Sequence, residues 1–280
     1  MIRVDSHNHY WVYNPLRDSW IDDSMSVIQK DFLPETFSSV LKEHNMNGSI
    51  AVQADQSEEE TQFLLKLSKE NDFIKGVVGW MDLRAEDLAE KLNFLKNEQK
   101  LCGFRHIVQA EPDDKFLIRE DFIRGLKLLN EYNFTYDILI YPHQLKAAIE
   151  LVNKIPNQRF VLDHIAKPEI KKGIMEPWTA QLSELASAKN VYCKVSGIIT
   201  EAEHRHWKPE DISPYLDVVF KAFGTDRLMF GSDWPVCLLA GSYTQVVELI
   251  EDYMMSFDEE DRQKVFGGNA CEFYGINANS

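Results

Sequence analysis

Short apolar runs alternate with longer amphipathic stretches along most of the chain. The apolar runs have the length of β-strands, and their continuous hydrophobicity is typical of strands buried on both faces of a parallel sheet. Eight strands are predicted in this way, at 2–4, 49–54, 74–81, 102–107, 134–141, 159–164, 191–195 and 227–231.

The stretches between these runs carry apolar residues three and four positions apart, as on one face of an α-helix. Ser57 and Glu60 have the spacing of a capping box at the start of one helix. Ser213 and Pro214 are a typical N-cap and first-turn pair for a helix that ends at Phe223. The other helical patterns lie at 34–47, 88–95, 122–129, 145–152, 182–185, 242–255 and 258–266.

Eight strand and helix pairs in 280 residues predict one (β/α)8 TIM barrel, of the α/β class, that spans residues 1–280 as a single domain. A doubly wound open sheet is the alternative, but it normally has a glycine-rich first turn. Here that position holds Ser-His-Asn-His, and neither G-x-G-x-x-G nor G-x-x-x-x-G-K-[ST] occurs. No linker-like or low-complexity segment divides the chain.

The net charge and composition argue against some classes of binding partner. A formal net charge of −15 and a pI near 5.0 argue against nucleic acid and anionic membranes, which need a basic surface. No apolar run is long enough for a membrane helix, and the first residues do not form a signal peptide. The cysteines are far apart and predict free thiols in a reducing cytoplasm: Cys102, Cys193, Cys237 and Cys271. The sequence is compatible with a homo-oligomer.

Titratable, polar and aromatic residues concentrate at the C-terminal ends of the predicted strands. In a closed barrel these ends converge on one rim, where active sites are built. His7 and His9 follow the first strand and point to the same side, because side chains alternate along extended chain. The rim residues are His7, His9, Gln53, Trp80, Asp82, Arg105, His106, Tyr141, Asp163, His164, Lys194, Ser232 and Asp233.

Four of these residues suit a divalent ion such as Zn2+. His7, His9, His164 and Asp233 offer nitrogen and oxygen ligands and leave one coordination position for water. Asp233 is also the expected general base. The structural alternatives are a helix N-cap for Asp233 and a hydrogen-bonded core histidine for His164.

Other rim residues are candidates for binding the substrate. Arg105 and His106 end an apolar strand, where an arginine needs an oxygen-rich partner; a surface salt bridge is the alternative. Aromatic walls for a sugar ring, or else core packing, are predicted for Trp11, Trp80 and Trp234. Further substrate contacts are predicted for Gln53, Asp82, Tyr141 and Lys167. Surface or lid positions remain open for His143, His204 and His206.

With these motifs in hand, the chain resembles the amidohydrolase superfamily, and within it the amidohydrolase-2 branch that includes sugar lactonases of the L-fuconolactonase-like group. The matching stretches occur in order from the first strand to the last. They are Val4–Trp11, Val78–Leu83, Gly103–His106, Leu162–Pro168 and Phe230–Pro235.

The resemblance implies hydrolysis of a sugar lactone to its hydroxy acid in cytoplasmic carbohydrate catabolism. Asp233 would activate water, while His164, Arg105 and His106 would polarise the lactone carbonyl. Arg105 and His106 replace the bridging lysine or glutamate of the dinuclear members, which implies one metal ion, such as Zn2+, or none. The alternatives are a metal-dependent decarboxylase of the same branch and a non-catalytic sugar-binding barrel.

Overall fold

Eight parallel strands, one for each predicted apolar run, form a single sheet in chain order. The computed structural model describes residues 2–277, so Met1 and residues 278–280 of the predicted domain lie outside the described residues. The strands are Val4–Asn8 (β1), Gly48–Val52 (β2), Ile74–Gly79 (β3), Leu101–Ile107 (β4), Thr135–Leu139 (β5), Phe160–Leu162 (β6), Val191–Val195 (β7) and Leu228–Phe230 (β8).

Amphipathic helices connect the strands and cover the outside of the sheet. They are Pro34–Glu43 (α1), Glu58–Glu70 (α2), Leu88–Leu95 (α3), Glu120–Glu131 (α4), Leu145–Lys154 (α5), Trp178–Ala186 (α6), Pro209–Phe223 (α7), Tyr243–Tyr253 (α8), Glu259–Gln263 (α9) and Asn269–Tyr274 (α10). Within residues 2–277, none of them combines the length and the apolar character that crossing a membrane requires.

The first and last strands close the sheet into a barrel. A parallel bridge joins Asn8 to Trp234, and the Asp233 amide donates to the His7 carbonyl at 2.8 Å. The buried Asp5 carboxylate adds a side-chain link by accepting from the Ser232 amide at 2.9 Å. The predicted single-domain (β/α)8 TIM barrel is therefore confirmed, and the open doubly wound alternative is wrong.

The last helix lies across the N-terminal ends of the strands. Phe273 and Tyr274 of α10 join the apolar cluster that fills the lower interior of the barrel. Arg159, just before β6, donates to the Phe273 carbonyl at 2.6 Å. The end of the barrel opposite the predicted rim is thereby covered.

Several predicted boundaries shift. Strand β1 begins at Val4 and continues to Asn8, whereas β6 ends at Leu162, before the predicted His164. Helix α7 begins at Pro209 rather than at Ser213, because the Lys208 amide donates to the Asp211 carboxylate at 2.9 Å and caps the earlier start.

The capping box predicted at the start of α2 forms only in part. The Ser57 hydroxyl accepts from the Glu60 amide at 3.2 Å, as predicted for an N-cap. The Glu60 carboxylate instead accepts from the Ala54 amide at 3.1 Å and is buried beneath the β2–α2 loop. This burial raises the pKa of Glu60 from 4.5 to about 7.

The raised pKa of Glu60 predicts a pH-dependent stability. The folded state holds this proton more tightly than the unfolded chain, so stability is lost as the pH rises from 4.5 to about 7. Glu60→Gln keeps the acceptor for Ala54 and removes the charge. It should raise the free energy of unfolding by on the order of 3 kcal/mol near pH 8 and leave it almost unchanged near pH 4.

Urea unfolding at the two pH values measures this difference. Glu59→Gln is the matched control, because the Glu59 side chain is exposed on the same helical turn. Equal stabilities of the wild type and Glu60→Gln near pH 8 would contradict the assignment.

Candidate active site

Barrel closure brings the opening histidine pair to the acid encoded at the other end of the chain. The Nε2 atoms of His7 and His9 lie 3.3 Å apart, as the alternation of side chains predicted. His9 Nδ1 donates to the Val52 carbonyl at 2.8 Å, which turns Nε2 toward the site. That Nε2 lies 3.3 Å from Asp233 Oδ1.

Asp233 follows β8 and lies in the left-handed region, with φ of 58°. Its Oδ1 lies 3.8 Å from His7 Nε2 and 3.9 Å from His164 Nε2. Burial alone would raise the pKa of Asp233, but the three surrounding imidazoles hold it well below the usual value. The group is therefore a carboxylate throughout the physiological pH range.

A left-handed turn positions His164 immediately after β6. Four successive residues have positive φ: His164 (53°), Ile165 (49°), Ala166 (60°) and Lys167 (48°). None is glycine, so each pays a steric penalty on the order of 1 kcal/mol. The turn is held because the Lys167 amide donates to the His164 carbonyl at 2.7 Å and the Trp178 indole donates to the Ile165 carbonyl at 2.8 Å.

The His164 ring is fixed against β7. Its Nδ1 hydrogen-bonds the Ser196 hydroxyl at 2.9 Å, which turns Nε2 toward Asp233. A Cβ atom on Gly197 would lie 2.6 Å from the same ring, so only glycine permits this approach. Burial lowers the pKa of His164 to about 4, and the imidazole is therefore neutral near pH 7.

These groups fit one divalent cation. His7, His164 and Asp233 each offer a donor atom, and the three atoms lie within 4.8 Å of one another. The pKa of His7 is well below its usual value because the ring is buried and faces Lys194, so His7 is also neutral. Two neutral imidazoles and one carboxylate, with His9 Nε2 as a further nitrogen donor beside Asp233, are a donor set typical of zinc.

A fully buried charge cluster lies beneath His7. The Lys194 ammonium is 2.5 Å from Asp137 Oδ2, 3.0 Å from Asp163 Oδ1 and 3.0 Å from His7 Nδ1. The Tyr274 hydroxyl donates to Asp137 at 2.9 Å. Sequence reasoning placed Lys194 and Asp163 at the rim but missed Asp137, although an acid in the apolar run of β5 was a visible signal.

Arg105 connects this cluster to the open side of the site. Its guanidinium contacts Asp163 Oδ2 at 3.0 Å and His7 Nε2 at 3.2 Å, and it donates to the Gln53 carbonyl. Gln53 is fully buried and donates back to the Arg105 carbonyl at 3.1 Å. Gln53 therefore holds Arg105 in place and does not line the cavity.

A cavity of about 300 Å³ opens over the histidines and Asp233. Six predicted residues line it: His9, Trp11, Arg105, His164, Lys167 and Asp233. Its lining also includes eight residues that the sequence did not predict, namely Trp20, Ala54, Gln56, Ile107, Gln109, Ala110, Leu139 and Val236. Most of these lie in loops or single 3-10 turns, which have no hydrophobic periodicity, so no pattern indicated them.

Arg105 and His106 do not share the cavity, because successive residues of a strand face opposite sides. The His106 ring lies outside the barrel, with Nε2 2.7 Å from Glu111 Oε1. It accepts from the Trp80 indole at 3.2 Å and stacks on Phe116. Burial lowers the pKa of His106, so the ring is a buried hydrogen-bonded group and not a surface salt bridge, while Arg105 has the buried oxygen-rich partners that its position predicted.

The remaining candidates also lie away from the cavity wall. Trp234 is buried in the core and stacks on Phe37, with ring centroids 4.3 Å apart, so core packing is the better description. Asp82 caps its own loop by accepting from the Arg84 amide at 3.0 Å. Tyr141 is partly exposed near the mouth, with its ring 5.7 Å from Lys167 Nζ. The histidines left open, His143, His204 and His206, are on the surface.

Comparison with known proteins places this site in a family. The family model described as amidohydrolase matches residues 4–276. An L-fucono-1,5-lactonase of Burkholderia multivorans is 38% identical over 286 residues, which cover 98% of this chain and 96% of the relative. An L-fucono-1,5-lactonase of Burkholderia ambifaria is 34% identical over 278 residues, with the same coverage of 98% and 96%.

A solved structure agrees with the whole fold. The crystal structure of an amidohydrolase from Burkholderia multivorans with bound zinc superimposes with a TM-score of 0.96 at 38% identity, covering 99% of this chain and 100% of that chain. The resemblance predicted from the strand-end motifs is confirmed. The chain belongs to the amidohydrolase family.

Proposed function

We propose that this protein hydrolyses a sugar lactone to the open-chain hydroxy acid. The main support is the ionised carboxylate of Asp233, which lies beside neutral imidazoles and lines a cavity of about 300 Å³. The two relatives named L-fucono-1,5-lactonase, each aligned over nearly the full chain, support this substrate class.

In this proposal Asp233 removes a proton from water as the oxygen attacks the lactone carbonyl carbon. Negative charge then develops on the carbonyl oxygen, and the buried Arg105 guanidinium is preorganised to stabilise it. When the ring carbon–oxygen bond breaks, the proton on Asp233 passes to the departing ring oxygen. The products are one hydroxyl and one carboxylic acid, which ionises near neutral pH.

The same residues would hold one zinc ion, namely His7, His9, His164 and Asp233. The zinc-bound relative and the donor set support this ion. A divalent cation there supplies Lewis acidity, which lowers the pKa of water and polarises a carbonyl. Such acidified water suits Asp233, because a carboxylate with a lowered pKa is a weak base toward ordinary water.

The cytoplasm is the proposed compartment. All four cysteines are free thiols, and three of them are buried. Unpaired cysteines are typical of proteins from reducing compartments. Assembly into a homo-oligomer and the exclusion of nucleic acid stay predictions from the sequence.

Asp233→Asn should lower kcat by about 100-fold or more without unfolding the protein, because the amide cannot accept the proton from water. Turnover is measured as acid release from a panel of L- and D-aldonolactones, and folding by circular dichroism. Asp82→Asn is the matched control, since Asp82 lies outside the cavity. A near-normal rate for Asp233→Asn would show that Asp233 is not the base. Release of carbon dioxide by the wild type would indicate a decarboxylase instead.

Removal of metal should also lower turnover, because both the acidified water and carbonyl polarisation are lost. Dialysis against a chelator is expected to reduce kcat by about 10-fold or more, and added Zn2+ should restore it. His164→Asn should bind less zinc by metal analysis than His204→Asn, whose exposed position makes it the control. Full activity with no bound metal would exclude a catalytic ion.

A further inference from the structure

A glutamine that lines the cavity has a shielded amide oxygen with an unmet hydrogen-bonding requirement. Gln109 lines the cavity, and its Oε1 atom is shielded from solvent without a hydrogen-bond partner in the described part of the chain. Buried polar atoms are almost always paired, because an unpaired atom keeps the full cost of its desolvation. The described chain gives this oxygen no partner, and rotation of the terminal amide, whose nitrogen end borders the cavity, brings the oxygen to where a bound ligand can pair it.

Gln56 presents a complementary group on the same side of the cavity. Its Oε1 accepts from the Ile107 amide at 2.8 Å, which fixes the orientation of the side-chain amide. The Nε2 group donates to no other atom among residues 2–277 in the observed hydrogen bonds and so offers two N–H donors. Because Ile107 precedes Gln109 by two residues, the donor and the acceptor both lie at the end of β4.

A hydroxyl group satisfies both glutamines, because it donates one hydrogen bond and accepts others. Neighbouring hydroxyls on a sugar ring offer this combination, whereas an unsubstituted lactone ring offers only its ester oxygens. Among the other cavity residues, Leu139 and Val236 are apolar, and Asp233 and His164 belong to the reacting cluster.

We propose that Gln109 and Gln56 bind ring hydroxyls and thereby select polyhydroxylated lactones over lactones without hydroxyls. This inference rests on the proposed lactonase function and adds the residues that set its specificity. A site built to bond a hydroxyl discriminates strongly against an analogue that lacks it, because the buried polar group is then left unpaired.

Gln109→Met tests the proposal, since methionine is close in length and has no amide. For a six-carbon aldono-1,5-lactone, kcat/KM should fall about 10-fold, whereas for δ-valerolactone, which has no hydroxyls, it should stay within about 2-fold or rise. Gln62→Met is the matched control, because Gln62 lies on the exposed face of α2 and should change neither value. An equal fall for both lactones, or no fall for either, would overturn the proposal.

Gln56→Glu examines the donor separately. The carboxylate can still accept from the Ile107 amide, but it has no N–H to offer a hydroxyl oxygen. The same selective loss with the aldonolactone is expected, with unchanged thermal stability. A loss that is equal for both lactones would assign Gln56 a structural role only.

Binding of the aldonate product by calorimetry separates this inference from the proposed function. Gln109→Met should weaken aldonate binding about 10-fold even if the wild type hydrolysed no lactone. Weakened aldonate binding in Gln109→Met, together with a wild type that hydrolyses no lactone, would contradict the lactonase proposal and still support the hydroxyl site. Unchanged aldonate affinity in Gln109→Met would reject the hydroxyl site whether or not lactones are hydrolysed.

Discussion

The ion pairs of Lys194 with Asp137 and Asp163 are the interaction on which the site depends. All three side chains are completely buried, and an unpaired charge there would be very costly. Burial alone would raise the pKa of Asp163, but Lys194, His7 and Arg105 together hold it well below the usual value. Because the cluster contacts His7 from below and Arg105 through Asp163, it fixes two groups of the active site at once. Buried ion pairs contribute little net stability, so positioning is the better account of this one.

The upper layer of the site is built at a cost in backbone strain. Asp233 and the four residues His164–Lys167 all have positive φ, and none is glycine. Both segments lie at strand ends, where the chain must turn sharply while its side chains still face the barrel axis. The surrounding hydrogen bonds hold these conformations, as is usual where strained backbone serves a binding or catalytic site. The result is a rigid set of donors around Asp233.

The sequence predicted the barrel better than the exact ends of its strands and helices, and it predicted the centre of the site better than the outer residues of the cavity. Apolar runs and helical spacing have a clear period, so the eight strands and most helices could be located. His7, His9 and Asp233 could be placed because they lie at or just beyond the C-terminal ends of β1 and β8 in a closed barrel. His106 could not be separated from Arg105 without the strand register, and α7 started early because Pro209 and Asp211 outweigh Ser213. Gln56 lies in a loop and Gln109 in a single 3-10 turn, so tertiary structure alone brings them to the cavity.

The Tyr274 hydroxyl of α10 donates to Asp137, which pairs with Lys194. Because Lys194 contacts His7 Nδ1, the last helix is connected to the first strand through this cluster. Asp233 and the histidines of the site all precede α10 in the chain, yet the charged layer beneath them is covered only when this helix is in place. Water can reach Lys194 and its carboxylates until α10 settles against the strand ends. The electrostatics of the site therefore depend on a helix that lies at the far end of the barrel from the cavity.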